Sequence, residues 1–316
     1  RASAVTIAAM QVYLDGKFVA PEDAQLSAHD AAVQHGVGLF ETMRAWNGTV
    51  FRLEAHVQRL CRSAAELGLA RRLEPEPLAE VVRKTLEVNE LADARVRLTV
   101  TGGDMSLLSG RPGGEGERGK GQQASIIVVP AEPTIYPDEF FTAGVTVVIA
   151  DPKANPFDPT AGHKTLNYWA RLQTLAQAAA VQAGEALWFT VVNQLYGGAV
   201  SNAFVIKDEQ IITPIARGEE SEGDLPSPVL PGITRAAVIE LAEQMDLPVH
   251  RRMLSINDVL EADEIMLTNS SWLVLPVVQV EREKIGEGEP GPITQRLREA
   301  LLMAVARECG LDEAGG

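Results

Sequence analysis

The sequence predicts a mixed α/β protein built from two domains. Strand-like segments and amphipathic helical segments alternate along the chain, and no internal repeat is visible. The length of 316 residues is about twice that of an average domain. Hydrophobic residues make up 46% of the chain and charged residues 22%, which is ordinary for a folded protein and excludes disorder of the whole chain.

The first half predicts two hairpins and two helices. Alternating apolar residues predict strands at 12–19, 40–46, 49–53, 95–101 and 124–129. Helical periodicity predicts helices at 53–67 and 77–88. Asp15-Gly16 and Asn47-Gly48 supply the hairpin turns, because these dipeptides accept the positive φ that such turns need. Gly68 follows the first helix as its C-terminal cap.

The second half alternates strands and helices. Strands are predicted at 145–150, 186–192, 203–207, 264–268 and 274–280, and helices at 167–182, 233–245 and 292–307. The stretch Ala131–Phe141 contains two prolines and reads as a linker. These patterns predict an N-terminal domain over 1–131, a linker over 132–141 and a C-terminal domain over 142–316.

Two features that resemble chemical motifs have simpler interpretations. The spacing of Gly114, Gly116 and Gly119 matches a dinucleotide-binding pattern, but no strand precedes it and no helix follows. The surrounding segment 102–123 is therefore predicted to be a mobile lid over a pocket or plain disorder. The five histidines and two cysteines share no metal-ligand spacing, so no metal site is expected.

Charge and cysteine content narrow the partners and the compartment. The net charge of −15 argues against nucleic acid and against anionic membranes as partners. No apolar run approaches ~18 residues, so no membrane-spanning helix is expected. Cys61 and Cys309 lie in separate helical stretches, which argues for a reducing compartment, the cytoplasm. The segment Arg1–Met10 makes a poor signal peptide, and Met10 is a candidate native start.

Three segments carry candidate chemistry. Lys164 lies among apolar neighbours just ahead of a long helix, which suits Schiff-base chemistry, although a solvated lysine at a helix start is the simpler reading. The run Leu230–Arg235 opens a helix, whose free backbone amides can bind an anion or merely be capped. Arg59 lies on the helix 53–67 and could meet the same anion.

Six segments in order resemble the class IV pyridoxal-phosphate aminotransferases, of fold type IV. They are His35–Thr42, Phe51–Leu60, His163–Tyr168, Val200–Phe204 with Thr213-Pro214, Leu230–Arg235, and Thr268–Ser271 ahead of Pro276-Val277. The resemblance covers about residues 11–307. It implies a smaller N-terminal α/β domain and a larger C-terminal pseudo-barrel domain, with pyridoxal 5'-phosphate (PLP) between them, in a homodimer.

The resemblance also implies individual roles. Lys164 would form the Schiff base with PLP and later shuttle the proton at the substrate α-carbon. The cofactor phosphate would be bound by four further residues, which are Arg59, Ile233, Thr234 and Ser270. An arginine and backbone amides at a helix start suit such a dianion.

The substrates implied are an amino acid and a 2-oxo acid. Phe40, Arg97 and Ser271 fall at substrate-binding positions, and an arginine such as Arg97 suits a carboxylate, although it could equally be a surface residue. D-specific relatives have an arginine and a histidine two residues apart here, whereas this chain has Arg95 and Arg97. Two other functions remain open: an aminodeoxychorismate-type lyase, which also uses a lysine such as Lys164, and a non-catalytic relative of the fold.

One position departs from the family pattern. The family has a glutamate five residues before Asn202, where its carboxylate keeps the pyridine nitrogen of the cofactor protonated. This chain has Gly197 at that position. Three readings follow: another acid or a water serves the nitrogen, the ring works unprotonated, or the site has lost its chemistry.

Overall fold

The computed structural model describes residues 10–69, 73–103 and 124–311. The chain divides into two compact units. Unit 1 holds the residues up to Thr134, the short segment Lys164–Asn167 and the residues from Glu308 onward. Unit 2 holds Ile135–His163 and Tyr168–Arg307.

Unit 1 is built on a six-stranded antiparallel sheet. In chain order its strands are β1 (Val12–Leu14), β2 (Lys17–Val19), β3 (Gly38–Trp46), β4 (Thr49–Val50), β5 (Ala94–Thr101) and β6 (Ile126–Ala131). Their spatial order is β2-β1-β6-β5-β3-β4. Asn47 and Gly48, with φ of 49° and 73°, form the β3–β4 turn, as expected for a two-residue hairpin with both central residues left-handed.

One face of this sheet forms the core of unit 1. The helices of the unit are α1 (Ala31–His35), α2 (Leu53–Glu66) and α3 (Pro75–Val88). Alternate residues of β3 and β5, such as Met43 and Leu98, pack with apolar residues of α2 and α3 in one buried cluster. Because strand side chains alternate between faces, the other residues of β3, including Phe40, lie on the opposite side of the sheet.

Unit 2 is built on a nine-stranded mixed sheet. Its strands are β7 (Val145–Ile149), β8 (Glu185–Phe189), β9 (Leu195–Gly198), β10 (Asn202–Lys207), β11 (Gln210–Thr213), β12 (Val249–Arg251), β13 (Glu264–Asn269), β14 (Leu273–Val280) and β15 (Glu283–Lys284). The order is β12-β11-β10-β13-β14-β7-β8-β9, with β15 paired to β14. Strand β7 runs parallel to both of its neighbours.

Helices flank the sheet of unit 2. They are α4 (Glu139–Thr142), α5 (Trp169–Ala180), α6 (Ile233–Gln244), α7 (Ile256–Leu260) and α8 (Pro292–Glu308). One apolar cluster joins residues of β7, β8, β10, β13 and β14. A second cluster packs Ala178 of α5 against Trp188 of β8 and Tyr196 of β9.

The predicted mixed α/β class is confirmed, as is nearly every predicted helix and strand. The strand predicted at 49–53 is too long, because it ends at Val50 and Leu53 already begins α2. The strand predicted at 124–129 lies at Ile126–Ala131. Sequence patterns missed β9, β11, β12 and β15, which have four residues or fewer. The glycine pattern at 114–119 and most of the segment 102–123 lie outside the described residues.

Leu98→Ala should destabilise the protein by about 2 to 5 kcal/mol, because Leu98 is fully buried in the unit 1 core and its loss leaves a cavity. Leu302→Ala is the control, since Leu302 is 44% exposed on α8 and should change stability little. Urea unfolding of both variants measures the difference. Equal midpoints for the two variants would contradict this placement of the core.

Candidate active site

The segment around Lys164 is held at the edge of β3. Thr165 forms an antiparallel bridge with Leu39. The amide of Phe40 donates to the carbonyl of Lys164 over 3.0 Å, and the amide of Leu166 donates to the carbonyl of Gly38 over 3.1 Å. Lys164 is therefore fixed beside Phe40 by backbone pairing.

Two cations lie against the ring of Phe40, which is buried. The Lys164 Nζ atom lies 4.3 Å from the ring centroid, and the Arg97 Cζ atom lies 3.7 Å from it. Arg97 is on β5, where it pairs with Thr42 and so shares the sheet face of Phe40. The structure thus brings three predicted site residues, Lys164, Phe40 and Arg97, into one group.

The next residue of β3, Glu41, points to the opposite face and holds Arg59. Its carboxylate accepts two hydrogen bonds from Arg59, at 2.8 Å from Nε and 2.6 Å from Nη2. The same carboxylate lies 2.9 Å from Nδ1 of His56. All three side chains are buried. This bidentate pairing fixes the orientation of the guanidinium that is predicted to meet a phosphate.

Burial and charge set the protonation of this cluster. Burial raises the pKa of Glu41, but the charge of Arg59 and the hydrogen bonds from His56 and Arg59 outweigh it and bring the pKa to about 2. Burial lowers the pKa of His56, and its hydrogen bond to Glu41 compensates only in part. At neutral pH the carboxylate is therefore ionised and the imidazole is neutral. On the other face of β3, Lys164 and Arg97 lie against Phe40, and cations of this kind suit an anionic ligand.

In unit 2 the start of α6 offers backbone donors. Its N-cap residue, Gly232, makes no side-chain cap, and the first amides of a helix have no partner within the helix. A Cβ at residue 232 would overlap Oδ1 of Asn202, so glycine allows Asn202 to lie against the helix start. Asn202 also donates to the carbonyl of Leu230 over 2.9 Å. The predicted residues Ile233 and Thr234 thus begin a helix that is shaped for an anion.

The buried guanidinium of Arg235 pairs with the solvent-accessible carboxylate of Glu219. Arg235 donates to both carboxylate oxygens of Glu219 over 2.7 Å and to the carbonyl of Pro214 over 3.0 Å. Burial raises the pKa of Glu219, but the hydrogen bonds from Arg235 and the amide of Ala216, together with the charges of Arg235 and Arg251, outweigh it and lower the pKa. The first turn of α6 is therefore tied to the loop that follows β11.

Ser270 and Ser271 lie in the turn between β13 and β14. Asn269 shapes this turn, because its Oδ1 accepts from the amides of Ser271 and Trp272 at 2.9 and 3.0 Å. Thr268 pairs with Asn202 of β10, so Asn202 connects this turn to the start of α6. The hydroxyl of Thr268 is buried and is without a hydrogen-bond partner among the described residues.

The position of the expected glutamate cannot hold a side chain in this backbone. Gly197 has a φ of 142°, and a Cβ there would lie 2.7 Å from the carbonyl oxygen of Ser201. A Cβ at Gly198 would overlap the hydroxyl of Ser201, which donates to Glu185 over 3.1 Å. The two glycines therefore let the following loop fold back over β9.

Comparison with known proteins decides the family. The model of the family described as amino-transferase class IV matches residues 38–280. The chain belongs to the class IV aminotransferases. A putative branched-chain-amino-acid aminotransferase of Methanocaldococcus jannaschii is 32% identical, over 92% of this chain and 94% of that protein. A D-alanine aminotransferase of Staphylococcus aureus is 29% identical, over 92% and 96%.

Solved structures agree with this assignment. The branched-chain amino acid aminotransferase of Escherichia coli matches with a TM-score of 0.82 and 26% identity, over 96% of this chain and 97% of that chain. The 4-amino-4-deoxychorismate lyase of Pseudomonas aeruginosa matches with a TM-score of 0.76 and 25% identity, over 92% and 97%. The predicted fold type IV is therefore confirmed, and this class IV aminotransferase is a PLP enzyme.

Each unit holds groups that fit a part of PLP. In unit 1 the amine of Lys164 suits the aldehyde carbon and the guanidinium of Arg59 suits a phosphate, and in unit 2 the amides at the start of α6 suit a phosphate. The carboxylate expected for the pyridine nitrogen is missing at Gly197, and the backbone there has no room for one.

Sequence reasoning missed several buried charged residues of these clusters. Glu41 and His56 lie in the family-like segments His35–Thr42 and Phe51–Leu60. Their positions on a strand and on a helix did not predict that they form one buried cluster with Arg59. Arg171 of α5 was likewise missed. It stands out in the sequence as the one charged residue of a helix that is otherwise rich in alanine.

Glu41→Gln should destabilise the protein by about 3 to 5 kcal/mol at pH 7, because it leaves Arg59 buried without a counter-charge. The pKa of Glu41 is depressed from 4.5 to about 2, so its ionised form stabilises the fold above about pH 4.5, and this stabilisation is lost as the pH falls toward about 2. The variant should lose less stability over that range than the wild type. Urea unfolding at several pH values measures this, with the exposed Glu76→Gln as control. Identical pH slopes for Glu41→Gln and the wild type would refute the assignment.

Gly197→Ala should destabilise the protein more than Gly16→Ala. Both positions have a positive φ, which costs a residue with a side chain about 1 to 3 kcal/mol. The extra loss at 197 comes from overlap with the carbonyl of Ser201, whereas nothing lies within 4 Å of a Cβ at Gly16. Thermal unfolding of the two variants gives the comparison. An alanine tolerated equally at both positions would be inconsistent with the close approach at Gly197.

Proposed function

We propose that this enzyme transfers an amino group between an amino acid and a 2-oxo acid, with PLP held covalently by the amine of Lys164. The observation that carries the proposal is the arrangement at β3. The Lys164 Nζ atom lies 4.3 Å from the ring centroid of Phe40, beside Arg97 and one residue along the strand from the carboxylate that orients Arg59.

The phosphate of PLP is assigned to four residues. Arg59 supplies a guanidinium whose direction is set by Glu41. Ile233 and Thr234 supply backbone amides at the start of α6, and Thr234 adds its hydroxyl. Ser270 supplies a hydroxyl from the turn after β13. Holding the phosphate in this way leaves the ring to be tuned by other residues.

The substrate is assigned to Phe40, Arg97 and Ser271. Arg97 suits a substrate carboxylate, because a guanidinium binds a carboxylate through two parallel hydrogen bonds. Phe40 forms a wall against which both Arg97 and Lys164 lie. When bound, PLP withdraws electrons from the substrate α-carbon. Lys164 accepts the proton from that carbon and returns it.

The main alternative is a lyase of the aminodeoxychorismate type, which the likeness to the Pseudomonas aeruginosa enzyme supports. Such a lyase would use the same lysine and need no 2-oxo acid acceptor. The likeness to branched-chain and D-alanine aminotransferases, at 32% and 29% identity, favours transfer.

The assembly and compartment proposed are a homodimer in the cytoplasm. Trp169 and Leu172, one helical turn apart on α5, are 73% and 58% exposed, and apolar exposure of this kind is typical of interaction surfaces. Both cysteines are free, as in most proteins of reducing compartments. None of the helices in the described residues has the length and hydrophobicity needed to cross a bilayer.

Incubation with PLP followed by borohydride should fix the cofactor on Lys164. The expected result is a visible absorption band that borohydride bleaches, with peptide mapping placing the label at residue 164. Lys164→Ala should lose the fixed label, whereas Lys153→Ala, which changes a lysine near Phe189, should keep it. Labelling of Lys164→Ala to the wild-type level would overturn the proposal.

The same preparation separates transfer from elimination. An aminotransferase releases the 2-oxo acid once for each bound cofactor and continues only when a second 2-oxo acid is added. A lyase turns over without any acceptor. Turnover of 4-amino-4-deoxychorismate alone, without an acceptor, would favour the lyase.

A further inference from the structure

The guanidinium of Arg171 lies against the residues that flank Gly197 and Gly198. Arg171, near the start of α5, donates to the carbonyl of Ala199 over 2.6 Å and to the hydroxyl of Tyr196. Tyr196 precedes the two glycines and Ala199 follows them. Arg171 therefore contacts this stretch of β9 on both sides of the glycine pair, and the carboxylate of Glu185 lies against Gly198.

Aromatic rings surround this cation. The Arg171 Cζ atom lies 4.8 Å from the ring centroid of Tyr196, 5.3 Å from that of Trp188 and 5.5 Å from that of Tyr168. Trp188 pairs with Gly197 across β8 and β9, so its ring connects Arg171 to the strand position of the missing carboxylate. The indole nitrogen of Trp188 is buried with no hydrogen-bond partner among the described residues.

Among the described residues, Glu185 supplies the carboxylate that acts on Arg171, and this carboxylate already accepts other hydrogen bonds. Glu185 of β8 accepts from the amides of Ala186 and Val200, at 2.9 and 3.2 Å, and from the hydroxyl of Ser201. Burial raises the pKa of Glu185, and these hydrogen bonds lower it only in part. The titratable groups facing Arg171 are thus Glu185 and the phenols of Tyr168 and Tyr196. Both oxygens of Glu185 are therefore already engaged, Oε1 by the amide of Ala186 and Oε2 by Val200 and Ser201.

This stretch of β9 is close to the start of α6, where we propose that the phosphate binds. A Cβ at Gly197 would lie 3.5 Å from the Cα atom of Asn202, and Asn202 packs against Gly232 at the start of α6. In PLP one ring atom separates the nitrogen from the carbon that carries the phosphate arm. A phosphate at α6 therefore leaves the ring nitrogen only a short distance away.

We infer that Arg171 and Tyr196 serve the pyridine nitrogen in place of the missing glutamate, and that this enzyme binds PLP with that nitrogen unprotonated. The inference rests on the proposed function. Arg171 remains cationic at all accessible pH values and offers only hydrogens. Tyr196 accepts from Arg171 and keeps its own hydroxyl hydrogen for another acceptor. A pair of donors suits a nitrogen lone pair, and a fixed positive charge opposes a second one on the ring.

The ring nitrogen can be observed directly. Holoenzyme loaded with PLP that carries ¹⁵N at the ring position gives an NMR resonance whose position distinguishes protonated from neutral pyridine. Spectra are recorded between about pH 5 and about pH 8, where folded proteins are commonly stable. The wild type should show neutral pyridine throughout.

Three variants test the assignment. Arg171→Gln removes the charge and should raise the pKa of the ring nitrogen by about 1 to 3, the effect of a nearby like charge. Tyr196→Phe keeps the ring, removes the hydroxyl and should raise the same pKa by a smaller amount. Arg44→Gln is the matched control, because Arg44 also stacks on an aromatic ring, that of Trp46, and donates to two backbone carbonyls. It should leave the nitrogen unchanged.

The outcomes of these NMR measurements distinguish the inference from the proposed function. A protonated nitrogen in the wild type, or an unchanged pKa in Arg171→Gln, would overturn the inference while leaving the proposed function intact. Absence of PLP on Lys164 in the wild type would overturn both. If Arg171→Gln fails to fold, Tyr196→Phe decides: a raised pKa supports the inference and an unchanged pKa overturns it.

Discussion

The buried carboxylate of Glu41 is the interaction on which the chemistry of unit 1 depends. It holds Arg59 through two hydrogen bonds and contacts His56, all away from solvent. Because β3 alternates its side chains, this clamp stands on one face of the strand while Phe40 and its cations stand on the other. The nine residues of this strand thereby fix both the group that we propose for the phosphate and the group that we propose for the covalent chemistry, with no intervening loop.

In unit 2 a short loop, residues 199–201, positions the residues next to the start of α6. Residues 199–201 are held from one side by Glu185 and from the other by Arg171. The next residue, Asn202, packs on Gly232 and so carries that order to the start of α6. This arrangement requires the two glycines in β9, because side chains there would overlap the returning loop. The absence of a carboxylate at 197 is therefore built into the backbone, and a single substitution would not restore it.

Local patterns were enough for most of the fold, because turns and helix ends depend on neighbouring residues. Asn47-Gly48 and Gly68 show positive φ where the sequence predicts turns and a cap. Short strands such as β12 were missed, since three residues carry no periodicity and form only because β11 lies beside them. At the candidate site, motif residues could be listed, but the contacts of Glu41 with Arg59 and of Arg171 with Tyr196 join separate elements, and only the folded chain reveals them.

The positive charges of Arg59 in unit 1 and Arg171 in unit 2 have different surroundings. In unit 1 the charge of Arg59 is balanced by Glu41, which leaves the guanidinium oriented and able to meet a dianion without an excess of buried charge. In unit 2 the charge of Arg171 meets aromatic faces and a carbonyl, which stabilise a cation but do not neutralise it. A cation of this kind disfavours protonation of a basic nitrogen placed near it. A ring held there, as we propose, would withdraw electrons less strongly, and proton transfer at the substrate would then rest more heavily on the placement of Lys164 than on the ring.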